Sequence, residues 1–187
     1  MPNAALSDLH PLTREQYFAL EERTQERHEM IEGVAYAMVG GTDSHSLVAM
    51  NLSALLHRAK SPPCQVFQQG VKLRIATDIS ETFFYPDVML CCDPTGNNRR
   101  WRERPAFIAE VLSPATEQND FGAKLLLYRS IPSLREYAVI GAAAAELTMY
   151  RRSAGWKPFA ADLDAGIALE TAPVRLDFAA LYDGVTF

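Results

Sequence analysis

From residue 13 onward the chain alternates between stretches with apolar residues at helical spacing and stretches that are apolar at every second position or throughout. Residues 1–12 show neither pattern and read as a flexible leader. Thr13 followed by Gln16 forms a capping-box signature that opens a short helix to about Glu26. Met30, Ile31, Val34, Tyr36 and Met38, interrupted by Glu32-Gly33, predict a hairpin of two short strands. After Gly40 and Gly41, the run Thr42-Asp43-Ser44 offers several N-caps. Val48, Leu52, Leu55 and Ala59 then mark one face of a long helix that stops before Pro62 and Pro63.

The middle of the chain reads as sheet. Val71, Leu73 and Ile75 alternate with Lys72 and Arg74, as in a half-exposed strand. The stretches from Phe83 to Cys92 and from Ala106 to Leu112 are almost continuously apolar, as strands covered on both faces should be. A helix is predicted over 119–131, with Phe121, Leu125 and Tyr128 on one side, and a strand from Leu134 to Ile140. Strand, helix, strand implies a right-handed crossover and a parallel pair. Ala145 to Arg152 and Trp156 to Ala161 close the sheet as a hairpin. A short strand near Val174 and a helical turn from Asp177 complete the chain. No repeat or linker divides it. The expectation is one α/β domain over 13–187, an α+β arrangement of one mixed sheet with helices on both sides.

Composition agrees with a folded domain: 187 residues, 48% hydrophobic and 22% charged. The net charge of -5 argues against holding long duplex DNA by charge alone. Cys64, Cys91 and Cys92 are odd in number, and the adjacent pair points to opposite faces of a strand, so free thiols in a reducing, cytoplasmic compartment are expected. They show no zinc-site spacing. No apolar run approaches the roughly 20 residues of a membrane span, and the N-terminus lacks the features of a signal peptide.

Two features carry chemistry. Asp87 and Glu110 are isolated acids inside the two most apolar strands. An unpaired buried carboxylate costs several kcal/mol, so each must be protonated, paired or bound to a cation. If the strands are neighbours, two such charges at about 5 Å repel by roughly 3 kcal/mol at an effective dielectric near 20. A divalent cation turns that penalty into attraction, and magnesium or manganese suits oxygen ligands. The alternative is a turn hydrogen bond for Asp87 and an arginine partner for Glu110 from the loop between Arg99 and Arg104.

The segments Tyr85-Pro86-Asp87-Val88, Ala109-Glu110-Val111-Leu112-Ser113-Pro114-Ala115-Thr116, Asp120 with Lys124 and Tyr128, and Leu134-Arg135-Glu136-Tyr137-Ala138-Val139 together resemble the Uma-two-like restriction-endonuclease family of the PD-(D/E)xK superfamily. His28-Glu29-Met30-Ile31-Glu32-Gly33 is similar to that family's opening hairpin, and His45 falls where the family has a histidine before its long helix. The resemblance covers roughly residues 13 to 182. It implies a restriction-endonuclease-like fold and hydrolysis of phosphodiester bonds in DNA assisted by Mg2+ or Mn2+. Asp87, Glu110 and the Val111 carbonyl would hold the metal, and a lysine would orient or deprotonate the attacking water. The superfamily's E-x-K lysine is replaced here by Leu112, and the resemblance moves the role to Lys124 on the following helix. Otherwise Lys124 is a solvated lysine paired with Asp120. Glu29 would join the site, with Glu32 as its rival. His45 would contact phosphate or relay water, or else serve as a polar residue at a helix start. His10, His28 and His57 read as structural.

The loop Arg99-Arg100-Trp101-Arg102-Glu103-Arg104 could grip phosphates and stack on a base, or its Trp could cover a sheet edge. Gln68 and Gln69 are candidates for polar support. Three functions compete: an endonuclease, a module that keeps the nuclease fold for binding or assembly, and, as a minor alternative, a hydrolase for another phosphodiester such as a nucleotide or RNA. Cutting two strands suggests a homodimer, for which the apolar segment at Leu147, Met149 and Tyr150 is a candidate edge.

Overall fold

The structure is a computed structural model, and it describes residues 10–38, 40–77, 80–93, 95, 98, 100–112 and 121–187. Helix α1 (Arg14–Thr24) starts at the capping box, with Gln16 N–H donating to Thr13 Oγ1 at 3.3 Å and Thr13 N–H to Gln16 Oε1 at 2.8 Å. Strands β1 (His28–Ile31) and β2 (Val34–Ala37) pair antiparallel around Glu32-Gly33, both with positive φ, as a tight two-residue turn requires. Gly33 is needed twice over, because a Cβ there would lie 2.5 Å from the Pro11 side chain. Helix α2 (Asp43–Ala59) is capped by the Thr42 side chain.

Strands β3 (Gln65–Gln68), β4 (Lys72–Ala76), β5 (Glu81–Phe84), β6 (Val88–Cys91), β7 (Trp101–Arg102) and β8 (Phe107–Leu112) follow. Then come α3 (Phe121–Arg129), β9 (Glu136–Gly141), β10 (Leu147–Arg151), β11 (Pro158–Ala160), β12 (Ile167–Ala168), β13 (Arg175–Leu176) and α4 (Phe178–Leu181). The parallel pair around α3 is β8 with β9.

The strands form two main sheets, not the single one expected. One has the order β2-β1-β5-β4-β7 and the other β11-β10-β9-β8-β6-β3, with β12-β13 as a small ribbon. Two strand pairs cross from sheet to sheet: β3 runs into β4 through Gln69-Gly70-Val71, and β5 into β6 through Tyr85-Pro86-Asp87. Pro86 has no N–H for a ladder, which breaks the apolar stretch at that point. The register also slips: Gln68 faces Val88 on one side of the crease, whereas Leu73 faces Phe84 on the other. Five steps on one strand thus match four on the other. That extra residue is a bulge, with Gly70 at φ +120° inside it.

The six-stranded sheet is covered on both faces. Val88, Leu90, Ala109 and Ile140 pack against Val48, Leu52 and Leu56 of α2 and Leu181 of α4. Met89, Ile108 and Val139 pack against Tyr128 of α3 and extend to Leu73 and Phe84 of the other sheet. Each fully buried Leu or Phe contributes about 1.5–3 kcal/mol. Leu147, Met149 and Tyr150 belong to these cores, and β11 covers the outer side of β10, so they form no free edge for a second copy. Among the described residues no helix is long and apolar enough to cross a membrane.

The cysteines depart from expectation. Cys64 and Cys92 form a disulfide and Cys91 is buried and free. The reason lies in register: Gln65 pairs with Cys91, which sets Cys64 opposite Cys92, while Cys91 points to the other face. The bridge closes a 28-residue separation, which corresponds to about 3–4 kcal/mol in the chain-entropy account. Unfolded, unreduced protein should therefore show one reactive thiol, and reduction should expose three and lower Tm by about 10 °C. Three thiols without reductant would contradict the pairing.

Candidate functional site

The crease between the sheets sets the candidate site. Continuing the β6–β8 register beyond Val88↔Ala109 places Asp87 opposite Glu110. Both residues are buried, at 7% exposure each. They reach the same region from neighbouring strands because residues directly opposite across a ladder share a face.

Asp87 is held by three donors. His45 Nε2 lies 3.1 Å from Oδ2, the Val111 N–H donates to the same oxygen at 2.7 Å, and the Gln69 amide donates to Oδ1. His45 comes from the first turn of α2, where its own N–H is capped by Thr42 Oγ1. The hydrogen bond to Asp87 raises the His45 pKa above its ordinary value, against the opposing effect of burial.

Glu110 sits in a second, linked cluster. Its Oε1 accepts from Tyr128 Oη at 2.7 Å and from Lys124 Nζ at 3.4 Å. Lys124 Nζ also lies 2.9 Å from Glu29 Oε1, which accepts the Tyr85 N–H at 3.2 Å. Lys124 and Tyr128 are one helical turn apart on α3 and so face the same carboxylate. Burial pushes the Glu110 pKa up to about 7; Lys124 pulls it down, while the charges of Asp87 and Glu29 raise it further. Burial likewise raises Tyr128 well above the usual phenol value, so it acts as a neutral donor.

Asp87, Glu110, Lys124, Glu29 and His45 are therefore brought together. Glu32 is not: it is exposed in the hairpin turn. Residues 113–116 and Asp120 lie outside the described residues, as does Arg99. Among the described residues, the arginines of the loop do not supply the partner of Glu110. Trp101 stacks on Phe18 at 5.9 Å, Arg102 lies over Phe67, Arg104 pairs with Asp93, and Glu103 accepts from Arg74. Trp101 thus closes a sheet edge against α1. From the chain alone Gln69 reads only as polar support, and Tyr128 as an apolar helix position and a member of the family-like motif with Lys124, without a role at Glu110. Gln69 becomes recognisable only through the register that sets it beside Asp87, and Tyr128 through its spacing of four from Lys124.

The donor set suits a hard divalent cation in kind. Two carboxylates face one crease, and the Val111 carbonyl points to the same side as its N–H, because Leu112 O is bonded to Ala142 on the β9 side. No group of three or more His, Cys, Asp or Glu close enough to hold one metal occurs among the described residues, so a metal here would rely on backbone and water oxygens as well.

The profile of the Uma2 family, described as "Putative restriction endonuclease", matches residues 14–178. Two proteins of Synechocystis sp. are similar. Slr1290, an uncharacterised protein, is 31% identical over 190 residues, spanning 100% of this chain and 97% of that one. Sll1609, also uncharacterised, is 35% identical over 133 residues, spanning 69% and 74%. A crystal structure of a "putative nuclease belonging to DUF820" from Anabaena variabilis superposes with a TM-score of 0.74 at 16% identity, covering 94% of this chain and 100% of that one. That likeness shows a shared nuclease-type fold.

Proposed function

This chain belongs to the Uma2 family, and from that premise we propose that it is a divalent-metal-dependent endonuclease that hydrolyses phosphodiester bonds in DNA. The observation that carries the reading is the meeting of Asp87, Glu110 and Lys124 at the crease. Asp87, Glu110 and the Val111 carbonyl would hold Mg2+ or Mn2+. The ion would polarise the scissile phosphate and lower the pKa of a bound water.

The chain's own groups have separable tasks. His45, Gln69 and the Val111 N–H hold Asp87 by three hydrogen bonds and fix its orientation. Tyr128 fixes one oxygen of Glu110. Lys124 is the cation within reach of the reacting phosphate, where its ammonium would orient water and offset developing negative charge. Glu29 holds Lys124 in place through the 2.9 Å contact of its Oε1 with Nζ.

Supercoiled plasmid with Mn2+ or Mg2+ tests this. The protein should nick it, and Asp87→Ala should lower the rate by about a thousandfold, corresponding to the several kcal/mol a metal supplies. Nicking that is absent, or indifferent to Asp87→Ala, would defeat the reading. Cutting both strands would take a homodimer, and light scattering showing only monomer on DNA would remove that part.

A second reading, a non-catalytic module, draws on the self-compensation of the cluster: Lys124 already pairs with Glu29 and Glu110. Calorimetry showing no divalent-ion binding by folded protein would favour it.

A further inference from the structure

We propose that Arg27 holds a backbone phosphate of the DNA next to the scissile one, at the point where the crease opens to solvent; this rests on the nuclease reading above. The candidate catalytic groups are themselves mostly enclosed, with Asp87, Glu110, His45 and Lys124 all buried. The surface beside them is formed by Gln69, Gly70 and Arg27, which are exposed. Gln69 joins that surface to the interior, because its amide donates to Asp87.

Arg27 is placed there by fixed elements. It lies between α1 and β1, and its carbonyl accepts the Met38 N–H at 2.9 Å. Its guanidinium lies over the Tyr85 ring at 5.7 Å, and it is 3.4 Å from where a Cβ on Gly70 would sit. Tyr85 is two residues before Asp87 and its N–H donates to Glu29, so the ring beneath the guanidinium belongs to the same β5–β6 crossing segment that carries Asp87. Stacking on an aromatic ring holds the planar fork in one orientation while leaving its N–H edges free to donate.

The bulge adds access. Gly70 bears no side chain, so a polynucleotide backbone can approach closely there. Charge balance supports Arg27 over the other cations at this place. Lys72, which shares the Tyr85 ring, pairs with Glu21, and Lys124 pairs with Glu29 and Glu110, whereas Arg27 makes no ion pair among the described residues. In a chain of net charge -5, an arginine without an acid partner beside the crease matches a phosphate diester, which it can take in two parallel hydrogen bonds.

The test is fluorescence anisotropy of a labelled duplex DNA oligonucleotide over a salt series, using Glu110→Gln protein with and without Arg27→Gln. Losing one phosphate contact should reduce the slope of log affinity against log salt by about one and weaken binding several-fold near 0.1 M salt. Arg27→Lys should restore the slope and only part of the affinity. With Glu110 intact, Arg27→Gln should raise KM by more than it lowers kcat. Superimposable curves for the two proteins would overturn the proposal, as would a lowered Tm with an unchanged slope, which would make Arg27 a packing group. DNA that is cut but bound independently of Arg27 defeats this inference alone. DNA that is bound through Arg27 but never cut upholds it and defeats the nuclease reading. No DNA binding by the parent protein defeats both.

Discussion

Glu110→Gln is expected to remove cleavage and at the same time raise Tm at pH 8 by about 5 °C in metal-free buffer. The carboxyl is buried and its pKa stands at about 7, above the 4.5 of a solvated glutamate. The native state therefore keeps a proton over a range in which the unfolded chain has lost it. Stability falls as pH rises from about 4.5 to about 7 and is level above that, a loss of about 3 kcal/mol. The amide escapes that loss, can still accept from Tyr128, and leaves Lys124 its partner Glu29. Melts at pH 4.5, 6 and 8 should show the two proteins level at the acid end and diverging upward. Mg2+ should then stabilise the parent and not the variant. A variant less stable than the parent at pH 8 would mean that the ion pair with Lys124 outweighs burial. Function would here retain a group that costs stability.

The largest loss of stability is expected away from the site, from Glu136→Ala. Glu136 is fully buried at the start of β9, directly across from Arg151 on β10. Its Oε1 accepts from Arg151 Nε at 3.0 Å. Its Oε2 accepts from the N–H groups of Glu170 and Thr171, each at 2.9 Å, and from Thr171 Oγ1 at 2.7 Å. One carboxylate thus ties the segment before β13 to the central sheet. Truncation strands those donors in the interior, which costs about 3–5 kcal/mol when a buried pair is broken on one side. Urea melts should show that loss, with Tm falling by on the order of 10 °C. A change below about 1 kcal/mol would show that water reaches these donors and that the segment is held by other contacts.

Local rules are legible in the chain wherever one element suffices to state them. Thr13 with Gln16 starts a helix, Glu32-Gly33 turns a hairpin, and the acids at 87 and 110 are buried side by side within apolar stretches. Facts of register are not legible in the same way. The division into two sheets depends on a one-residue slip between Gln68↔Val88 and Leu73↔Phe84, and apolar periodicity cannot show which residues face each other. The disulfide has the same origin. Cys64 stands just before a strand of half-exposed and polar residues, Gln65 to Gln68, that carries little hydrophobic signal, and its partner is 28 residues away. For the same reason Gln69 is legible as polar support but its partner Asp87 is not. The arginine-rich loop offers two readings in the chain, a nucleic-acid grip or a Trp covering a sheet edge, and the structure shows the second: Trp101 packs against Phe18 and Phe83, and Glu103 binds Arg74.

Whether Asp87 and Glu110 share one divalent ion is decided by a crystal soaked in Mn2+. A single anomalous peak should lie within coordination distance, about 2.0–2.3 Å, of one oxygen from each carboxylate and of the Val111 carbonyl, with Lys124 drawn off Glu110. An empty crease at saturating Mn2+, with Lys124 still joining Glu29 to Glu110, would contradict a shared ion.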